Sequence, residues 1–310
     1  GIAIGSSDGS AKYVTAGGEN AIAVGTSAQA TGKTSTAIGK NAIASQENAF
    51  AAGKEAKAQA TDTVAIGSGV TASGVQSISI GSTFNNRANQ ATGTASVAIG
   101  SGAQSTGAGS LAVGRNVQSL REYTTAIGTN ITASNEASAS TIIGYNSVTK
   151  GNQSVNIGST NATEESAQYS TAIGYKTNVS GMNAIAIGSG DSGANAGNVI
   201  ASADNAIAIG TKTKASAASA MALGTNANAA LAHSVALGEG STTTADDGAS
   251  KTAYLTGEST NNSGNGVISV GNKRTADGSG TVTRRIVSVA GGTDDYDAVN
   301  VKQLKALESN

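Results

Sequence analysis

The chain has no cysteine, no proline and no tryptophan, and only 3% of its 310 residues are aromatic. Without cysteine there is neither a disulfide framework nor a thiolate metal site, a usage that fits an exported bacterial protein as well as a cytosolic one. Without tryptophan and with few other rings, a conventional globular core is excluded, because the large apolar residues are mostly single Val, Ile and Leu among Ala, Ser, Thr and Gly. Charge is sparse too. Charged residues make up 13% of the chain, the formal net charge is −1, and there is no long run of Lys or Arg, which excludes the electrostatic footprint of a nucleic-acid binder. No apolar stretch of about twenty residues occurs, so this segment is expected not to insert in a membrane.

What is present is a repeat. Ala206-Ile-Ala-Ile-Gly210 returns as Ala220-Met-Ala-Leu-Gly224 and Ser234-Val-Ala-Leu-Gly238, with the closing glycines fourteen residues apart. Such glycines recur from Gly5 through Gly238, then at a degenerate Gly257 and at Gly271, about eighteen units in all. The longer intervals mark loop insertions at residues 6–20, 82–95, 129–139, 159–169, 189–205 and 239–252. A fixed period of this length means stacked structural units, and the in-register Ile and Val argue against a disordered linker of similar composition. The first residues, Gly1-Ile-Ala-Ile-Gly5, already read as a unit, so the chain is expected to be a segment of something longer.

Within a unit the pattern alternates with period two, as in Val64-Ala65-Ile66 and Val97-Ala98-Ile99. The β-branched first and third residues are expected to fill the inside of the coil, with the Ala between them against another subunit. After the glycine, Ala56-Lys57-Ala58 and Ala103-Gln104-Ser105 predict a second strand whose outer face is wet. Each coil then holds two short strands and two turns, with glycine at the φ > 0 or close-approach position. The absence of proline fits, because every N–H is needed by the neighbouring coil. At about 4.8 Å per coil the rod is about 85 Å long. A single column with so thin a core is marginal, and a parallel bundle of columns is expected.

The last forty residues differ, with Arg284-Arg285-Ile286-Val287-Ser288-Val289-Ala290-Gly291-Gly292 followed by Asp294-Asp295-Tyr296-Asp297 and the start of a helix in which Asn300, Leu304 and Leu307 take heptad positions. Units of the type Ser96-Val-Ala-Ile-Gly100, together with Val289-Ala-Gly-Gly-Thr293 and Asp297-Ala-Val-Asn-Val-x-Gln-Leu304, resemble the head and neck of trimeric autotransporter adhesins of the Yersinia adhesin A type. The resemblance implies an all-β, left-handed parallel β-roll (β-solenoid) with coils of about fourteen residues, homotrimeric, ending in a short helical neck at the start of a coiled coil. It further implies a bacterial cell-surface adhesin displayed from a Gram-negative outer membrane. Its partners would be host cell receptors or extracellular matrix proteins such as collagen, fibronectin and laminin, and autoagglutination is a second role. The expected parts are a head over 1–274, a neck over 275–301 with an insertion around Thr275–Val282, and the stalk start over 302–310.

Candidate residues follow. Lys54 and Lys57 are expected to face water on a repeated surface, and Tyr13, Tyr123 and Tyr169 are expected to fall in the insertions, where an exposed ring anchors a partner. In the neck, Thr293 is the expected N-cap, and Arg284 and Arg285 are set against Asp294, Asp295 and Asp297 for pairing across subunits, with Asn300 and Leu304 in the trimer seam. No catalytic, cofactor or metal site is expected. His233 lacks partners and belongs to a surface turn, Gly32-Lys33-Thr34 has Ser27 where a phosphate loop needs glycine, and Asp246-Asp247 lacks calcium-loop spacing. The alternative is a β-solenoid carbohydrate-active enzyme, which needs clustered carboxylates that the sequence lacks. An ice-binding solenoid would need a regular Thr ladder, whereas Thr is scattered here.

Overall fold

The structure, a computed structural model, describes residues 1–7, 9, 13–191, 197–260, 264–272 and 282–308. It is a parallel β-solenoid. Each triplet strand pairs with the triplet of the next coil, so that Val64, Ile78, Val97, Leu111 and Thr125 stack in one register column. The short strands pair likewise, with Lys57, Thr71, Gln90, Gln104 and Gln118 in a second column. The glycine markers from Gly25 to Gly238 coincide with coil corners.

Two further columns of left-handed residues close each coil. The residue two positions after the glycine has φ near +55°, as at Asn41, Asn116 and Asn226, and so does the residue two before the triplet, as at Asn48, Asp62, Tyr123, Tyr169 and His233. Asn and Asp tolerate this conformation, and here they also bond up the column: Asn48 Nδ2 donates to Asp62 Oδ1 at 2.9 Å, and Asn116 Nδ2 to Asn130 Oδ1 at 3.0 Å. His233 thus lies in a turn, as expected.

The core overturns the expected face assignment. In the coil after Gly53 the fully buried side chains are Ala56, Ala58, Thr63 and Ala65, and the same four positions recur along the rod. The middle residue of the triplets, in most coils Ala, points into its own coil, and the larger aliphatic residues point out: Ile66 and Ile99 are each 37% exposed, Ile143 39% and Leu237 44%. The two strands of a coil lie too close for opposed large side chains, so most of the residues between them are small, with a single larger one such as Val70, Val117, Ile131 or Ile142 in some coils. Between the alanine-rich stretches the interior turns polar, with Asn156 Nδ2 donating to Val148 O and Thr149 Oγ1, both at 3.1 Å.

The degenerate unit at Gly257 is not a coil. Val235 pairs directly with Ile268, and the chain between them leaves the column after Thr243, with the one-turn helix Ala245–Gly248 and a Thr252–Ser259 bridge outside it. That turn of helix and Val301–Glu308 are the helices among the described residues.

The corner glycines have two reasons to be glycine. Gly81 has φ +144°, and a Cβ there would run into the carbonyl of Gly100 in the next coil. Gly81→Ala is therefore expected to lower the melting temperature by several degrees, on the order of 1–3 kcal/mol of backbone strain. An unchanged melting curve would contradict the close approach.

Candidate subunit interface and binding faces

The solenoid presents one apolar and one polar outer face. The apolar face is built by the first and third residues of the triplets, a stripe from Ile2 and Ile4 to Ile268 that is apolar at every third position and interrupted at the first by Thr36, Thr125, Thr141 and Thr171. Outward residues on a sheet alternate, so the position after each glycine lies on this same face at its edge. There stand Lys40, Lys54, Arg115, Tyr145 and Tyr175. Tyr145 and Tyr175 flank Ser159 in register two coils apart and extend the apolar face; the sequence reading missed them, although their place one residue after Gly144 and Gly174 was visible.

The polar face is the outer side of the short strands. Lys57 is exposed there, in a shallow groove with Asn41, Ile43, Glu55 and Thr71. Further along, Gln118 Nε2 donates to Gln104 Oε1 at 3.0 Å. The second strand is wet on its outside, as expected.

The structure spreads the five candidate ligand residues over different surfaces. Lys54 sits at the edge of the apolar face, 3.6 Å from Glu55, whereas Lys57 belongs to the polar face. Tyr13 is 69% exposed in the first insertion. Tyr123 does not lie in an insertion but in the turn of a regular coil, where its ring covers Gly109 of the preceding coil. Tyr169 occupies the equivalent turn position and is also exposed. The five residues therefore form no single pocket.

At the C-terminal end Arg284 folds back on its own solenoid. It donates to Ser241 Oγ at 2.9 Å, Val270 O at 2.6 Å and Glu239 O at 2.5 Å. These bonds engage the guanidinium with the last coil of the same chain. Arg285 is exposed as well. The expected insertion at Thr275–Val282 lies outside the described residues except for Val282.

The helix Val301–Glu308 is capped by Asn300, not by Thr293. Gln303 N donates to Asn300 Oδ1 at 3.1 Å, and Asn300 N to Gln303 Oε1 at 3.3 Å, a reciprocal capping box. Gln303 also accepts from Gly292 N at 3.0 Å and donates to Gly292 O at 2.9 Å, while Asn300 Nδ2 donates to Val289 O at 3.1 Å. Thr293 has a different role. Its N–H donates to Asp297 Oδ2 at 2.8 Å, and this bond with that of the Asp294 N–H holds the Asp297 carboxyl below its ordinary value. Leu304 is exposed. Gln303→Ala removes three of these bonds, and a loss of about 1–3 kcal/mol in neck stability is expected, read as lost helix signal on warming. Unchanged melting of the helix would count against the joint.

No curated protein matches the chain significantly. One solved structure that it resembles is the collagen-binding domain of the Yersinia adhesin YadA, at 23% identity over 67% of this chain and 87% of that one, with a TM-score of 0.43. The profile of the YadA head domain repeat matches residues 16–42, 44–69, 91–116, 166–190 and 201–231. That of the coiled stalk of trimeric autotransporter adhesins matches 285–310, and together the two cover just over half of the chain. The chain belongs to the trimeric autotransporter adhesins.

An adhesin of this family is not an enzyme, and the carbohydrate-active alternative gains no support. Among the described residues there is no group of three His, Cys, Asp or Glu placed to hold a metal ion, and no helix is long and apolar enough to cross a membrane. The head-repeat matches fall on regular coils, and the stalk match begins at Arg285, one residue after the arginine that docks on the last coil.

Proposed function

We propose that the chain is the head of a homotrimer displayed from a Gram-negative outer membrane, where it attaches the cell to host extracellular matrix proteins or receptors by multivalent contact. Residues 1–274 serve as the head, 275–301 as the neck and 302–310 as the start of the stalk. The observation behind this reading is the apolar stripe, which runs along one face of the rod and leaves the other face polar. A monomer exposing such a face along its whole length would aggregate, and three columns that turn their stripes to a common axis bury it. The polar strands, the turns and the insertions then remain for ligands, repeated along each column and three times around it.

Collagen, fibronectin and laminin are the ligands to test first, with autoagglutination as a separate readout. Lys57, Tyr13, Tyr123 and Tyr169 are the proposed contacts on the outer surface, and Lys54 lies beside the subunit boundary. Many weak contacts acting together raise avidity by roughly 10²–10⁴. The intact trimer is therefore expected to bind an immobilised matrix protein at least about a hundredfold more tightly than a monomeric variant. Equal binding by the monomer would overturn the multivalent account, and no binding to any matrix protein would redirect the search to receptors or self-association.

A further inference from the structure

The sheet carrying the apolar stripe has two edges of opposite charge. Its strands run from the turn before each triplet to the corner after each glycine. At the second edge the exposed cations Lys40, Lys54 and Arg115 follow Gly39, Gly53 and Gly114. In the same three coils Glu47, Asp62 and Glu122 stand exposed at the first edge. Within the chain these cations and acids lie at opposite ends of a coil and do not pair. Lys54 is 3.6 Å from its neighbour Glu55, and Arg115 lies over the Phe84 ring at 5.2 Å. Opposite signs intrude, with Lys33 and Arg121 on the acidic edge and Glu55 and Glu239 on the basic one, but each edge keeps its net sign.

We infer that the subunits join edge to edge through these charges, the Lys40, Lys54 and Arg115 edge of one copy meeting the Glu47, Asp62 and Glu122 edge of the next. The inference rests on the trimer proposed above. Parallel copies around a three-fold axis run their strands in one rotational sense, so the end of each sheet meets the start of the next, a heterologous contact that closes a ring. With copies level, each cation stands within about half a coil, roughly 2.4 Å along the rod, of its acid on the neighbour. Lys54 is placed best, between Glu47 and Asp62, whereas Lys40 lies between Glu47 and the like-charged Lys33. The apolar stripe supplies the driving force, and the charged borders steer the same two edges together and disfavour contact between like edges.

The test uses the full 310-residue chain and three variants, followed by light scattering and thermal melting at low and high salt. One variant reverses the cations (Lys40→Glu, Lys54→Glu, Arg115→Glu), one reverses the acids (Glu47→Lys, Asp62→Lys, Glu122→Lys), and the third combines all six. Each three-site reversal is expected to lower the trimer's melting temperature by about 5 °C or more at low salt, with the gap narrowing as salt rises. The six-site swap is expected to recover most of the loss, which a general folding defect would not allow. A trimeric parent whose reversals melt unchanged, or whose six-site swap is no better than the sum of the two, overturns the edge pairing and leaves the trimer standing. A monomeric parent overturns the trimer and the pairing with it.

Discussion

Replacing Ile66 and Ile99 together with aspartate is expected to convert the trimer to monomers. Both side chains project from the stripe and are more than a third exposed in the isolated chain. They contribute nothing to the interior of their own coil and, in the proposed trimer, a great deal to the shared axis. Burying each is worth about 1.5–3 kcal/mol, and each occurs three times in the assembly. A carboxylate in the same place adds a desolvation cost of several kcal/mol per copy unless it is neutralised. Light scattering at micromolar concentration reads the result. A double variant that stays trimeric would show that the stripe is not the contact surface.

The opposite outcome is expected at the middle position of the same triplets. Ala65→Leu and Ala98→Leu place a branched side chain where the structure leaves no exposed surface at all. Ala65 is stacked between Ala51 and Ser79, and its coil cannot widen without breaking the ladder on both sides. Overpacking of this kind costs about 1–3 kcal/mol per site when neighbours can adjust, and a column of parallel strands adjusts poorly. Both variants should melt well below the parent chain and lose strand signal, whereas Gln29→Leu and Gln104→Leu, on the half-buried outer side of the short strands, should be tolerated. The two experiments separate the inside of a coil from the contact between coils of different subunits. Equal tolerance at the alanines and the glutamines would refute the burial pattern.

The coil itself was legible in the residues alone. Glycines fourteen apart, alternation on either side of them and the lack of proline determined the parallel solenoid, its period and most of its insertions, because a stacked strand must repeat its side-chain order to stay in register. The wet second strand and the terminal helix were legible for the same reason. Which face of the triplet points inward was not. An alternation of period two defines two faces and says nothing about which one is enclosed, and the preference of aliphatic side chains for burial pointed to the wrong one. Only the tertiary structure decided it. The space between the two strands of a coil admits Ala, Ser, Thr, Asn and a few Val or Ile, so Ile66 and its counterparts stand outside. The neck divides in the same way. The Asn300 to Leu304 motif announced a helix, but distant bonds determine how it begins, since Gln303 reaches back to Gly292 and Arg284 to the carbonyls of Glu239 and Val270. Contacts between residues so far apart leave no local period in the sequence, and the folded chain alone brings them together.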